Sequence, residues 1–231
     1  VAALRVAPVD DVIALGRPPV AFLPLVAPGI EAKGDTVGTD DKAALKDLDR
    51  AVTLNPGYFR PLLVRGTVRR QAGDLDGASR DLEQSLALLP TAEAYYGLGL
   101  VAERRGRRDQ AIGYLQKAAN SRSNAGVQAG RQLARLDLQE NPARYVSAGL
   151  GLTQDGYLIL RVRNNAQVAV SDVRVVIGVQ VGGGIRERAS YRLERTLEAG
   201  GLAQMKTDLG PMDVGTARRH VALVTAAGLA K

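Results

Sequence analysis

The chain has 231 residues, with 31 Lys and Arg against 24 Asp and Glu and a formal charge of +7. At ~100–200 residues per domain this is one large domain or two small ones. A hydrophobic share of 45% and a charged share of 24% exclude wholesale disorder. The absence of Cys and the single His exclude disulfide frameworks, thiolate nucleophiles and any two-His metal site within this chain.

The opening residues 1–34 read as an irregular, proline-containing leader. Pro8, Pro18, Pro19, Pro24 and Pro28 interrupt it, and Asp10 and Asp11 precede its longest apolar stretch. It lacks the basic start and unbroken apolar run of a secretory signal. The stretch Val20–Ile30 falls well short of the ~20 residues needed to cross a bilayer, so no membrane span is expected. A start at Val1 without an initiator Met predicts a processed or truncated product.

Residues 35–142 contain a repeat. Gly66, Gly73, Ala78, Leu82 and Ser85 recur 33 positions later as Gly99, Gly106, Ala111, Leu115 and Ala118. An earlier, partial copy supplies Ala44, Leu48, Ala51 and Pro56, 34 positions before Ala78, Leu82, Ser85 and Pro90. A small residue, a large apolar residue four on and a small residue three further on order one helix face. The small positions admit a neighbouring helix, and the Leu fills the groove between them.

Each unit therefore reads as two helices: about 60–72 and 75–89 in the middle copy, 92–104 and 109–119 in the third. Gly73 and Gly106 make the turns, and Asp74 caps a helix start. In the first copy only a second helix, about 41–54, is legible, because proline, glycine and β-branched residues fill the region of its partner. Ser123 and Asn124 open a further helix to about 138, placed to cover the last unit before Asn141-Pro142 stops it.

Over residues 59–120 this spacing resembles the tetratricopeptide repeat. The family's small-residue positions fall on Gly66, Ala78 and Ser85, then on Gly99, Ala111 and Ala118. The resemblance implies that the first helix of each unit lines a concave groove that binds a polypeptide segment. On this sequence it assigns Arg60, Leu63, Thr67, Arg70 and Gln71, then Glu93, Tyr96, Leu100, Glu103 and Arg104. Arg70 and Arg104 would suit a carboxylate or an acidic stretch, and Tyr96 would supply an apolar anchor.

From residue 146 to 231 the pattern turns strand-like. Strand runs read at 157–163, at 168–181 as one long strand with an internal break at Ser171-Asp172, and at 186–193, 203–209 and 220–225, with turns at Asn164-Asn165, Gly182–Gly184 and Gly200-Gly201. About six short strands predict an antiparallel β-sandwich. The run from Gly156 to Val181, with its Asn-rich turn, resembles immunoglobulin-like domains of bacterial envelope proteins. The expected fold class is thus α+β and multidomain, a short helical-repeat array followed by a sandwich.

No catalytic constellation emerges. His220 stands alone beside Arg218-Arg219, and no His-Glu-x-x-His segment or Asp-rich calcium loop is present. The glycine runs lack the strand-to-helix setting of a phosphate loop. With no Trp, two Phe and basic residues mostly dispersed, nucleic-acid stacking and a basic footprint are not expected; the tightest cluster is Arg104, Arg105, Arg107 and Arg108. No cofactor and no metal are assigned. The leading reading is a non-catalytic protein–protein interaction module in bacterial envelope assembly or quality control. A cysteine-free chain suits a periplasmic setting, and a cytoplasmic one stays open. Two alternatives stand beside it. Repeats followed by a small β domain resemble the accessory C-terminal region of periplasmic zinc metallopeptidases, and a sandwich can bind glycans, although few aromatic rings are available to stack on sugars.

Overall fold

The structure is a computed structural model that describes residues 39–230. The leader and the region that precedes the legible helix of the partial repeat copy lie outside these residues. Helices α1 (Thr39–Leu54), α2 (Phe59–Gln71), α3 (Leu75–Leu88), α4 (Ala92–Arg104), α5 (Arg108–Ala119) and α6 (Asn124–Asp137) follow one another. Each packs on the next, and α4 also touches both α2 and α6. The first helices of successive units therefore lie side by side, with the second helices behind them.

The caps and turns follow from the sequence. The Asp74 carboxylate accepts a hydrogen bond from the Gly77 amide at 2.8 Å, Thr91 from Ala94 at 3.2 Å, and Ser123 from Gly126 at 3.2 Å. Gly73 and Gly106 turn the chain with φ of +86° and +70°, a region open to glycine and costly for other residues.

The repeat's small positions are where helices approach most closely. A Cβ added at Gly66 would sit 2.8 Å from Leu82 Cγ, and one at Gly99 would sit 2.8 Å from Leu115 Cγ and Cδ2. Gly97 makes the same close approach to Leu82 from the next helix, 2.9 Å from its Cδ1. Ala78, Leu82, Ala94, Leu98 and Val101 form the core of this part. At its edge, the buried Asp81 accepts hydrogen bonds from Arg65 Nε (2.9 Å), Arg65 Nη2 (2.6 Å) and Arg69 Nη1 (2.9 Å). Arg65 also reaches Asp49 at 2.8 Å, so one guanidinium ties α1, α2 and α3 together. The Asp81 hydrogen bond raises the Arg65 pKa above its ordinary value against the opposing effect of burial.

After the one-turn helix α7 (Pro142–Tyr145), six strands follow: β1 (Val146–Leu152), β2 (Leu158–Asn164), β3 (Val170–Val181), β4 (Gly184–Leu193), β5 (Leu202–Lys206) and β6 (His220–Leu229). A short helix, α8 (Val214–Ala217), precedes β6. The strands form two three-stranded antiparallel sheets, ordered β1-β2-β5 and β4-β3-β6. The long strand expected over 168–181 is β3, which begins at Val170. Asp172 takes φ 53°, and the pairing to β6 shifts between Ser171 and Arg174, so the polar pair makes a bulge rather than a break. β4 is an outer strand, and its residues Gly184–Arg188 are exposed.

Asn164 ends β2 with its side chain fully buried. Its Nδ2 donates to the carbonyls of Val168, Leu197 and Glu198 at 2.8–3.0 Å, and its Oδ1 accepts from the Ala166 amide at 2.8 Å. The expected turn residue is thus also an internal staple across two loops.

Helices and strands meet in one apolar cluster. Leu115, Leu133 and Leu138 from α5, α6 and the residue after it join Val146, Leu160, Val162, Val173 and Val175 from the sheets. A polar clasp closes the same seam: Asp137, 2% exposed, accepts from Asn141 Nδ2 (2.7 Å), Arg144 Nη1 (2.7 Å) and the Tyr145 hydroxyl (2.9 Å). Burial works to raise the Asp137 carboxyl, but these three donors outweigh it and hold the pKa below the ordinary range. Burial, followed by the bond to Asp137, pushes the Tyr145 hydroxyl up to about 12.

Two predictions follow from this packing. Gly99→Val should lower stability by about 1–3 kcal/mol through overpacking against Leu115. Gly113→Ala in α5, whose added methyl meets nothing within 4 Å, should raise it by about 1 kcal/mol; denaturant titration of both variants separates contact from helix propensity. For the clasp, stability from Asp137 is fully present above its unfolded pKa of about 4 and is lost as pH falls through the lower folded value. Stability from Tyr145 is present below its unfolded value of about 10 and is lost as pH rises through about 12. Asp137→Asn should cost about 1–3 kcal/mol at neutral pH and flatten the acid limb of a melting-temperature profile. A profile parallel to that of the parent would show that the clasp contributes nothing.

Candidate functional site

The assigned groove residues all lie on α2 and α4, the adjacent first helices. Arg60, Gln71, Glu93 and Arg104 are exposed, while Leu63, Thr67, Arg70, Tyr96, Leu100 and Glu103 are half-buried. Leu63 packs against the helical core, and Tyr96 packs against the cluster shared with the sheets. The Thr67 hydroxyl donates to the Leu63 carbonyl one turn back at 2.9 Å, so it is turned toward its own helix. Leu63, Thr67 and Tyr96 are thus held in place by their surroundings.

The seam between the two helices carries the unusual electrostatics. Arg104 Nη1 donates to the Arg70 carbonyl at 2.6 Å, bringing one guanidinium beside the residue that bears another. Arg70 Nε is buried without an acceptor among the described residues. Burial is the largest influence on this group and lowers its pKa; the charge on Arg104 acts in the same direction, and Tyr96 opposes it. Two cations therefore share a seam in which Arg70, among the described residues, has no ion-pair partner. Such an arrangement favours an anionic acceptor arriving from outside.

The third member of the face was not legible from the repeat. Gln132 of α6 donates through Nε2 to both Glu103 oxygens, at 2.7 and 2.8 Å, and its own oxygen receives Arg135 Nη1 at 3.5 Å. Reading residues 124–138 as a terminal cover directs attention to their apolar stripe and away from this polar one. The signal was the spacing itself, since α6 stands to α4 as α4 stands to α2.

The remaining chemical candidates are placed as follows. His220 begins β6, half-buried, with Nδ1 3.0 Å from the Thr216 carbonyl. Among the described residues no group of three or more His, Cys, Asp or Glu could hold a metal ion. No helix among them is long and apolar enough to cross a membrane.

Comparison with known proteins bears on the helical part. No curated protein matches the sequence. A crystal structure of MamA protein aligns with a TM-score of 0.39 and 24% identity over 42% of this chain and 52% of that one. A MamA fragment from Desulfovibrio magneticus RS-1 gives 0.38 and 24% over 43% and 56%. The chain thus spans about half the length of these structures. The family model for the tetratricopeptide repeat matches residues 63–126, the span in which α2 to α5 stack as successive helix pairs. Over residues 63–126, then, the chain is similar to the tetratricopeptide-repeat family.

Proposed function

We propose that the face formed by α2, α4 and α6 docks a polypeptide segment, with a carboxylate of that segment held between Arg70 and Arg104 and an apolar side chain set against Tyr96. The observation that carries this reading is the Arg70 guanidinium, partly desolvated, beside a second cation and with its Nε unpaired among the described residues. A charge kept in that state costs stability unless an acceptor completes it. Tyr96 is already held by the core behind it, so its free edge offers contact area with little loss of side-chain entropy. The repeat architecture is in general a non-catalytic binding one, which agrees with this role.

The two sheets read as halves of a small immunoglobulin-like sandwich that braces the array; the shared cluster of Leu160, Val162, Val173 and Val175 supports this. A cysteine-free chain suits a place in bacterial envelope assembly or quality control. In a second reading, favoured by the order of repeats then strands in one core, the same face presents substrate to a zinc peptidase domain elsewhere in a longer chain.

The purified chain should retain carboxylate-bearing peptides from an array. Arg70→Ala and Tyr96→Ala should each weaken that binding about tenfold or more, near 1.4 kcal/mol, with Tyr96→Ala also lowering the melting temperature because its ring packs on the core. Equal binding by the parent and both variants would remove the assignment.

A further inference from the structure

A second cleft lies away from the α2–α4 seam, where the repeat array meets the sheets. It has a volume of about 580 Å³ and is walled by the α5–α6 loop, the first half of α6, α7 and the turn after β2. That size falls in the range of specific ligand sites, about 300–1,000 Å³. Its charged lining consists of Arg122 on one wall and Arg144 on another, and no carboxylate lines it among the described residues. Val127, Leu133 and Ala166 give it an apolar floor, while Asn120, Asn165 and Gln167 contribute amides.

The two arginines differ in how they are held. Arg144 donates one Nη1 bond to the buried Asp137 at 2.7 Å, and its side chain is still 50% exposed. Its guanidinium is thereby oriented before any ligand arrives, and nitrogens remain for a second acceptor. Arg122 is exposed and has no ion-pair partner among the described residues. Along these walls α6 presents glycine, which lets the neighbouring segments approach it closely. A Cβ at Gly130 would come within 3.1 Å of Gln167 Cγ, and one at Gly126 would run into the Ser121 carbonyl.

We propose that this cleft binds a short acidic peptide segment, its carboxylate bridging Arg122 and Arg144 and its apolar neighbours resting on Val127 and Ala166. Paired guanidinium groups select a carboxylate. Amide side chains, each offering both a donor and an acceptor, match the alternating N–H and C=O groups of an extended backbone. The assignment is independent of the groove on α2 and α4 and does not require it.

The test is an amide NMR titration of the full chain with the blocked tripeptide acetyl-Leu-Asp-Leu-amide and with its Asn counterpart. The Asp peptide should give saturable shifts at Gly126, Gly130, Ala166 and Gln167, with the Asn peptide at least about tenfold weaker. Arg122→Ala, a loop change outside the core, should weaken the Asp peptide to a similar degree, and Arg122→Lys should restore part of the loss. The double variant Arg70→Ala with Tyr96→Ala should leave these shifts intact, which separates this site from the groove. Equal binding of the two peptides, shifts confined to α4, reproduction of the shifts by acetate alone, or no saturable shifts would each overturn the proposal.

Discussion

Glycine at the crossing of paired helices is the constraint on which the molecule depends. At Gly66 and Gly99 the partner leucine lies so close that even a methyl group would displace it. That approach sets the interaxial distance within each pair, and Gly97 against Leu82 sets the distance between pairs. Because the interior is close-packed, these spacings determine where the side chains of α2 and α4 are held. The position of Arg70 beside Arg104 therefore depends on Gly66 and Gly97, which lie one and two turns away along the same helices.

The helix α6 links two kinds of structure with different periods. One side continues the stack of helices, and another joins the core that the strands fill. An apolar seam alone would permit sliding, since dispersion and burial have little directional preference. The clasp at Asp137 supplies direction: three donors from Asn141, Arg144 and Tyr145 converge on one buried carboxylate within the first residues after the helix. Any of the three displaced would leave part of that carboxylate unsolvated and unpaired, so the junction is specific in geometry as well as held by burial.

Much of the helical part was legible because its period leaves a trace at every unit. The helices from α2 to α6 begin and end within about two residues of the positions read from small residues, caps and turn glycines. The strands were less so. β1 escaped as a discrete strand because Gly149 and Gly151 stand at its alternate outward positions, where strand formers would give the signal. β6 runs on to Leu229 through Ala226, Ala227 and Gly228, residues with little strand preference of their own that pair because β3 lies beside them. Ser171-Asp172 has the composition of a turn and the geometry of a bulge. In the candidate site, repeat register alone brings Arg70, Tyr96 and Arg104 onto neighbouring helices, but the unpaired Nε of Arg70 depends on atoms from several elements and has no one-dimensional signature. Gln132 was hidden by the covering role of its helix, and Arg122 and Arg144 come to line one cleft only through the folding of the chain between them.

The outer strand β4 has a further consequence. Among the described residues nothing pairs with the outer side of this strand, next to the exposed Val181 and Ile185 at the hairpin tip. Such an edge is a template on which a like strand from another molecule can add, and apolar tips strengthen the tendency. Arg186, Glu187 and Arg188 occupy the part of the strand where that addition would begin. A stacked copy in parallel register would place each of these charges beside its own kind. These three charges therefore disfavour in-register addition of a like strand along this edge.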